Sequence, residues 1–452
     1  MKKVLATLLA SAMAISAIGG LVACGGDGGS DANTLVVWCP EAAKAGYESM
    51  VADWKTANPD YSGLTVTFTS VDEGEVETKL NTDASKGADV YFFEAGQIAG
   101  LQEKNLLQNL GATVTAEIKA RDAESWYGPI LNAGGSAMAF PATADNGYFL
   151  WYDSTVYTEE DVKTLDAMLT KAKAQNKNIM FDFANGWYIP SFWFGAGHTM
   201  DYQGDNYVTD INNDSGKEVA KAVNGYLGPT NNKMANGNAC IIKQSKDLNS
   251  EIGTGFASGT VAAGIIGTWI ATDVENKMDG VPDEEDPDKP RTPHEAYTRT
   301  DGAKYADIKC TKLPTYTLGG KQVQMGSFMG GKYCGVNAQR KTGNIEAAIS
   351  LANFFTGEKG QKVRFDTTAA GPTNIKVSNS DDVKENKALA ALSAQNNAGG
   401  YLQLQQSANF WKSWEAFGNG IYTGTGPEGS KVTLGDTALL EALATLSTSI
   451  LT

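Results

Sequence analysis

The chain has 452 residues, 42% hydrophobic and 20% charged, so it can form two or three globular domains and is neither a disordered chain nor a polytopic membrane protein. Its 37 lysines and arginines are outnumbered by 52 aspartates and glutamates, and the net charge of −15 argues against nucleic acid as a partner. With two histidines, His198 and His294, the chain cannot build a three-histidine zinc site, and a Ser-His-Asp triad would need one of them.

The N-terminal segment has the layout of an export signal. Lys2 and Lys3 precede a mostly apolar run over residues 4–22, and small residues close that run. The tetrapeptide Leu21-Val22-Ala23-Cys24 resembles a bacterial lipobox, which implies a signal peptide over residues 1–23 and a lipid anchor on Cys24. The alternative is an ordinary signal peptide followed by an incidental cysteine. Residues 24–33 are rich in glycine, serine and aspartate, and this composition predicts a flexible tether.

The elements that follow alternate between strands and helices. Apolar residues 35–38 predict a strand, residues 64–68 a second and residues 88–93 a third. Between the first two strands, apolar side chains recur at helical spacing at Tyr47, Met50, Val51 and Trp54. Alternating strands and helices favour an α/β fold with a mainly parallel sheet covered on both faces.

This alternation breaks near Phe140-Pro141, and the apolar strand 148–152 opens a second set of elements. Residues 332–337 and the helix after them are similar again to the first set, and the glycine-rich stretch 326–331 suits a crossing between two lobes. The acidic run 279–307 is expected to be a solvated loop. Its carboxylates lack the glycine-centred spacing of a calcium site.

Motifs for catalysis and cofactors are incomplete or absent. A GxGxxG match at 424–429 lacks a surrounding βαβ unit. Residues 210–216 begin like an EF-hand loop, but their glycine falls one place late and Lys221 stands where the bidentate acid belongs. His198 has no motif around it. We therefore predict no metal, no cofactor and no enzymatic activity.

The cysteine count leaves the redox state open. Apart from Cys24, the chain has four cysteines: Cys39, Cys240, Cys310 and Cys334. In an exported protein they could form two disulfides by any of three connectivities, or stay reduced.

Several segments, in order along the chain, carry a resemblance to a known family. Besides the lipobox they are residues 35–54, 87–94 with 100–107, 140–141 with 150–153, 259–269, 313–316, and 353–355 with 371–372. Together they resemble the extracellular solute-binding proteins of ABC sugar importers, most closely the maltose/maltodextrin-binding group. The resemblance covers essentially the whole mature chain.

The resemblance implies a periplasmic-binding-protein-like fold, in which two α/β lobes with mainly parallel sheets close on a ligand. It implies that lobe I comprises residues 34–142 and 332–375, and that lobe II comprises 146–318 and 380–452. Hinge segments are expected near 143–145, 319–331 and 376–379. The expected partners are an oligosaccharide, such as maltose or maltodextrin, and the permease subunits of an ABC transporter. The expected location of this monomer is the outer face of the bacterial cell membrane.

A sugar offers apolar C–H faces and a rim of hydroxyls, so its site needs aromatic rings and polar side chains. Carried over by position, the resemblance assigns ligand contacts in lobe I to Trp38, Phe93, Glu94 and Gln97. It assigns Asn146 in a crossing segment and Trp187, Tyr188, Trp269 and Trp411 in lobe II. The sequence departs from the family pattern at Phe93, where tryptophan is common, and at Asn146, where an acid is common.

Each assignment has a structural alternative. Tryptophans are usually buried, and Trp54 and Trp151 are predicted to be core residues. For Trp126, Trp193 and Trp414, the sequence does not decide between a core residue and a ligand contact. Glu94 and Gln97 could instead form a helix-capping pair. For the whole protein, the alternatives are a binding protein for another oligosaccharide or small polar solute, and a secreted carbohydrate-active hydrolase with two facing carboxylates.

Overall fold

The computed structural model describes residues 33–203, 206–245, 247–282, 289–292, 299, 301–340, 343–424 and 431–452. The predicted signal peptide, the lipidation site Cys24, the tether up to residue 32 and part of the acidic run 279–307 lie outside these residues. Across the described ranges, no helix is long and apolar enough to cross a membrane. The same ranges contain no group of three or more histidine, cysteine, aspartate or glutamate residues that could hold a metal ion.

The first part of the chain builds most of lobe I. Its elements are β1 (Thr34–Cys39), α1 (Glu41–Ala57), β2 (Thr65–Ser70), α2 (Val76–Thr82), β3 (Val90–Glu94), α3 (Ile98–Glu103), α4 (Gly111–Arg121), α5 (Glu124–Tyr127) and β4 (Phe140–Gly147). Helix α1 buries the predicted stripe, including Tyr47, Met50 and Trp54. It ends before Pro59, because the residue before a proline disfavours helical backbone.

The middle of the chain builds lobe II. Its elements are β5 (Phe149–Asp153), α6 (Leu165–Ala174), β6 (Asn178–Met180), α7 (Ser191–Gly195), β7 (Met200–Gln203), β8 (Asn206–Thr209), α8 (Asp214–Leu227), β9 (Ile241–Ile242), α9 (Leu248–Ser258), β10 (Val261–Ile266), α10 (Ala271–Asp279), β11 (Ile308–Thr311), β12 (Thr315–Leu318) and β13 (Lys321–Gln324). Strand β10 is buried along its full length, as expected of a central strand covered on both faces.

The chain then returns to lobe I and crosses back once more. These elements are β14 (Ser327–Val336), α11 (Ile345–Thr356), α12 (Glu358–Thr368), α13 (Ile375–Ser378), α14 (Asp381–Glu385), α15 (Lys387–Gly399), β15 (Gly400–Leu402), α16 (Phe410–Thr423) and α17 (Asp436–Ser449). The order of elements confirms the predicted α/β class, and the chain passes between two sheets more than once.

Each lobe has its own sheet with a parallel part and an antiparallel part. In lobe I the order is β15-β14-β3-β1-β2, with β1 parallel to β2 and β3, while β14 runs antiparallel to β3 and to β4. In lobe II the order is β11-β5-β10-β6-β9, parallel from β10 to β9 and antiparallel at β5 and β11. The sheets are therefore mixed.

Two hydrophobic cores correspond to the two lobes, and β14 belongs to both. Phe328 at its start lies in the lobe II core, whereas Tyr333 and Cys334 lie in the lobe I core. Strand β4 runs antiparallel beside β14, from Phe140 in the lobe I core toward Tyr148 in the lobe II core. The paired strands β4 and β14 therefore form a crossing between the lobes.

The crossing along β14 is shorter than the predicted hinge 319–331. Residues 315–324 form a two-stranded hairpin, β12 with β13, whose turn is Gly319-Gly320. Both glycines have positive φ, 57° and 79°, which a two-residue hairpin turn requires. The glycine pair therefore belongs to this hairpin, and the crossing follows it.

All four cysteines in the described ranges are free thiols. Cys39 ends β1 and Cys334 lies on β14, with β3 between these two strands. Two strand spacings place their Cα atoms about 9–10 Å apart, beyond the ~7 Å limit for a disulfide. Burial raises the pKa of Cys39 to about 12 and that of Cys240 to about 11, so these thiols stay protonated.

Candidate functional site

At the lobe I edge next to the crossing strands, an ion pair joins β3 to β14. Glu94 is the last residue of β3, and the antiparallel register places Lys332 directly opposite it. Lys332 Nζ donates to Glu94 Oε1 at 2.8 Å, and the Lys332 side chain is 14% exposed against 46% for Glu94. Lys332 therefore holds the Glu94 carboxylate while leaving much of it accessible to a ligand.

A second, buried pair lies nearby. Arg364 on α12 places Nη2 3.2 and 3.3 Å from the two carboxylate oxygens of Glu73, and both side chains are less than 10% exposed. Burial raises the pKa of Glu73, although the guanidinium of Arg364 opposes this shift. Nε and Nη1 of Arg364 have no hydrogen-bond partner among the described residues.

Asp145 on β4 connects these pairs to the crossing strands. Thr143 Oγ1 donates to Asp145 Oδ1 at 2.8 Å and accepts from the Lys332 backbone N–H at 3.2 Å. Burial alone would lower the pKa of Lys332, but the carboxylates of Asp145, Glu94 and Glu73 raise it overall. We call the five charged residues Glu73, Glu94, Asp145, Lys332 and Arg364 the ionic cluster.

In lobe II, three aromatic rings form what we call the aromatic surface: Trp187, Phe328 and Trp411. Trp187 stacks on Phe328 with centroids 5.0 Å apart, and Trp411 lies 6.2 Å from Trp187 and 5.7 Å from Phe328. Phe328 is fully buried, Trp187 is half-buried and Trp411 is 38% exposed. The buried ring of β14 thus supports two indoles that remain open to a ligand.

Two glycines leave room for the exposed indoles Trp411 and Trp269. A Cβ at Gly186 would lie 2.8 Å from the Trp411 backbone, so only glycine allows α16 to start this close to the Gly186 turn. Trp269, 45% exposed, follows β10 in the 3-10 turn Thr268–Ile270, and a Cβ at Gly267 would lie 2.0 Å from its ring. This turn contacts β4 and α15, so Trp269 lies beside the crossing strands.

Three predicted ligand contacts are wrong, because the structure buries these side chains. Phe93 is 0% exposed and packs on Tyr333 in the lobe I core, with centroids 6.0 Å apart. Tyr188 is 5% exposed and packs beneath Tyr148. Gln97 uses both ends of its amide within lobe I, accepting from the Glu77 N–H at 2.9 Å and donating to the Glu73 carbonyl at 2.8 Å. Gln97 therefore positions Glu73.

Asn146 lies on β4 beside the ionic cluster, and its role as a ligand contact stays a prediction. Asn146 pairs with Gly330, where a Cβ would lie 3.0 Å from the Asn146 Cβ. Successive strand residues point to opposite faces, so the residue that joins the ionic cluster is its neighbour Asp145.

The remaining tryptophans divide by burial. Trp38 is half-buried against the lobe I core and pairs with Tyr91 across the sheet. Trp54, Trp151, Trp193 and Trp414 are fully buried, and Trp126 is 6% exposed in a small cluster with Ala144 and Met329. The predictions for Trp54 and Trp151 are confirmed, and the three open cases are resolved as buried residues.

Sequence reasoning missed four members of the ionic cluster: Glu73, Asp145, Lys332 and Arg364. Glu94 and Lys332 are 238 residues apart, and Glu73 and Arg364 are 291 apart. No local spacing signals these pairs, since only the sheet register and the packing of α12 bring them together.

Comparisons with known proteins agree with this architecture. The model of the family described as bacterial extracellular solute-binding protein matches residues 49–391. No curated protein matches the sequence. Among solved structures, the chain is similar to a ligand-free maltodextrin-binding protein of L. casei BL23, at 21% identity and a TM-score of 0.71, over 93% of this chain and 99% of that one.

Two ligand-bound structures are similar as well. A cyclo/maltodextrin-binding protein complexed with maltotetraose matches at 18% identity and a TM-score of 0.68, over 93% of this chain and 98% of that one. An extracellular solute-binding protein from Staphylococcus aureus in complex with maltose matches at 15% identity and a TM-score of 0.68, over 92% and 96% of the two chains. At these identities the similarity shows the fold.

Proposed function

This chain belongs to the bacterial extracellular solute-binding proteins, and from that premise we propose that its solute is a sugar, most simply an α-glucan oligosaccharide such as maltose or a maltodextrin. In this proposal the protein captures the sugar between its lobes and delivers it to the permease subunits of an ABC transporter. The protein binds the sugar without cleaving it.

The observation that carries the proposal is the exposure of two indoles beside a charged cluster. In the described part of the chain, the exposed large hydrophobic side chains include two aromatic residues, Trp269 and Trp411. Exposing a tryptophan to water is unfavourable unless a ligand covers it, and the C–H face of a pyranose fits a flat ring. In the ionic cluster, the Glu94 side chain is 46% exposed and supplies carboxylate acceptors for hydroxyls, whereas Glu73 and Arg364 are less than 10% exposed.

The charges of the ionic cluster also separate a sugar from a polyamine. Two of the three carboxylates are already paired, Glu94 with Lys332 and Glu73 with Arg364, so the ionic cluster has a net charge of −1 and little excess negative charge to hold a polycation. A neutral polyol needs no such excess. The ligands named for two similar structures, maltotetraose and maltose, support the sugar class.

We further propose that the protein is anchored by lipid on Cys24 at the outer face of the cell membrane, facing the periplasm if the cell has an outer membrane. The lipobox and the glycine-rich segment after it support this location. A Cys24→Ser chain is then expected in the soluble fraction after cell fractionation, and its retention in the membrane would contradict the anchor.

A thermal-shift panel tests the sugar proposal. The panel contains maltose, maltotriose, maltotetraose, other gluco- and galacto-oligosaccharides, spermidine and buffer. At a hundredfold excess over Kd, a ligand that binds only the native state adds about 2.7 kcal/mol to the free energy of unfolding. A shift with an α-glucan and none with spermidine is the expected result, whereas no shift with any sugar would contradict the proposal.

The same samples distinguish binding from hydrolysis. After incubation with a labelled oligosaccharide, the sugar should be recovered intact by chromatography. Sustained turnover would instead favour the hydrolase alternative.

A further inference from the structure

Strand β2 forms one edge of the lobe I sheet. Its six residues pair with β1, and no described strand lies on its other side. The side chains of Thr65, Thr67 and Thr69 are exposed on one face of the sheet. Those of Val66 and Phe68 pack on the lobe I core from the other face. The outer edge of β2 is therefore available to a further strand.

The other strands at the ends of the two sheets are protected against such pairing. β15 has three residues and β9 has two, while β11 carries the exposed Lys309 and contacts α15. Short edge strands, lysines and covering helices are the usual means by which proteins prevent edge-to-edge association. β2 is longer, and its sequence Thr-Val-Thr-Phe-Thr-Ser has no charge, no proline and no bulge. It lacks every one of these protections.

The hydrogen bonds to β1 determine which backbone groups of β2 point outward. The Thr65 N–H donates to the Asn33 carbonyl at 2.8 Å, and the Val71 N–H donates to the Cys39 carbonyl at 3.0 Å. The register between these two bonds is unbroken, and alternate residues of a parallel strand bond to the same neighbour. The odd-numbered residues of β2 therefore face β1. The residues whose N–H and C=O groups point away from the sheet are Val66, Phe68 and Ser70.

These outward groups are complementary to those of a second copy of the chain. In an antiparallel pair, two opposite residues whose backbone groups face each other exchange two hydrogen bonds. A two-fold axis at Phe68 places Phe68 opposite its own copy and Val66 opposite Ser70, so every outward group is paired. A shift of two residues would instead place Ser70 opposite Leu64, whose N–H already donates to the Tyr61 carbonyl. The register centred on Phe68 is therefore the best one.

Side chains and charge favour the same contact. The net charge of −15 brings like charges together at most contacts between two copies, whereas β2 carries no charged side chain. In the register centred on Phe68, Thr67 lies opposite Thr69 of the other copy on the exposed face. On the core face the two Phe68 rings are opposite each other. Threonine pairs and aromatic pairs across strands both stabilise a sheet.

We propose that β2 is an interaction surface for a second copy of this chain, and that the two β2 strands pair antiparallel about a two-fold axis at Phe68. The two lobe I sheets then form one continuous sheet. This inference goes beyond the proposed function, because it does not depend on the solute, and it departs from the monomer expected from the sequence. One strand pair is a small interface compared with the roughly 1,200–2,000 Å² of stable complexes, so we expect a weak dimer.

Cysteine cross-linking detects a weak dimer and tests its register. Thr67 and Thr69 of the two copies form a non-hydrogen-bonded pair with Cα atoms about 4.5 Å apart, which is within disulfide range. Full-length Thr67→Cys and Thr69→Cys chains with different tags are produced in one culture, and an oxidant is added to the intact cells. We expect a disulfide-linked dimer that carries both tags. Neither variant alone should form a dimer, because identical positions lie about 7–8 Å apart on the diagonal.

The matched control is a mixture of Thr65→Cys and Thr69→Cys, two exposed threonines of the same face that lie two residues out of register in this dimer. This mixture should give no mixed dimer. Equal yields from the two mixtures, or no mixed dimer from either, overturn the proposal.

Ser70→Pro, added to both chains of the Thr67→Cys and Thr69→Cys mixture, is the second test. It removes an outward N–H and leaves the hydrogen bonds to β1 intact, as proline does at the open side of an edge strand. Because each copy loses one neutral hydrogen bond, the association constant and the yield of mixed dimer should fall about twentyfold. Ser70→Ala keeps the N–H and should give the yield of the mixture without it. An undiminished yield with Ser70→Pro also overturns the proposal, because the cross-link then records random collisions.

Discussion

The two lobes contribute different chemistry to the candidate site. Lobe I presents the ionic cluster, with Glu94 held by Lys332 and Glu73 by Arg364. Lobe II presents indoles, with Trp187 and Trp411 supported by the buried ring of Phe328. A sugar needs both kinds of contact at once, so neither lobe alone makes a complete site. Under the proposed function, a sugar held between the lobes would contact both kinds of side chain.

The buried pair in lobe I is expected to affect stability, whereas the exposed indoles in lobe II are expected to affect binding. The largest expected effect is on stability and concerns lobe I. Replacing Arg364 by leucine leaves the Glu73 carboxylate buried without its partner. Breaking one side of a buried ion pair costs about 3–5 kcal/mol, because a lone charge stays in a low-dielectric environment. We therefore expect Arg364→Leu to unfold at a clearly lower urea concentration than the wild type.

The double variant Glu73→Gln, Arg364→Leu is the control for this prediction. It removes both charges, and replacing a complete buried pair is often close to neutral, so most of the lost stability should return. If Arg364→Leu unfolds at the wild-type urea concentration, the buried pair does not contribute to the free energy of unfolding. Lobe I would then not differ from lobe II in this respect.

The next effect concerns binding and falls in lobe II. Trp269→Ala and Trp411→Ala each remove an exposed indole, so each should weaken sugar binding about ten- to a hundredfold. The melting temperature without ligand should change little, since the two rings are 45% and 38% exposed. Titration calorimetry and thermal unfolding measure the two quantities separately.

Trp411→Phe is the matched control, because it keeps a flat ring on the aromatic surface and should retain much of the affinity. The opposite result is a lower melting temperature in both alanine variants, with normal sugar affinity in the protein that remains folded. That result would make the two indoles core residues. Lobe II would then have no assigned ligand contact from Trp269 or Trp411.

The sequence was sufficient for features with a local signal. The α/β class follows from alternating strands and helices, whereas Trp269 and Trp411 were assigned by the family resemblance, and the structure shows both rings exposed. Phe93 failed because β3 is buried on both faces, and a continuous apolar strand does not reveal which side chains reach its end. Asn146 and its neighbour Asp145 point to opposite faces of β4, so the sequence alone does not show which of them joins the ionic cluster. The ionic cluster depends on register across more than 200 residues.

The smallest expected effect contrasts the buried cations of the two lobes. Arg364 in lobe I is paired with a carboxylate, whereas Lys387 in lobe II donates to the carbonyls of Tyr305 and Ile308 at 3.0 and 2.7 Å. Its ammonium also lies 3.2 Å from the centroid of the Tyr305 ring, at the N-terminal end of α15, where a cation is unfavourable. Burial lowers the pKa of Lys387 from 10.5 to about 8.

This lowered pKa determines the sign of the pH dependence. Between about pH 8 and 10.5, the unfolded chain holds a proton on Lys387 that the folded chain has released, so the free energy of unfolding contributed by this residue rises with pH. Lys387→Met has no such proton, and the difference in stability between wild type and variant should therefore grow in favour of the wild type across this window. Urea unfolding of both chains at several pH values measures that difference and cancels the other titrating groups. A flat difference would mean that the two carbonyls and the Tyr305 ring keep Lys387 charged, and that lobe II tolerates its buried cation as well as lobe I does.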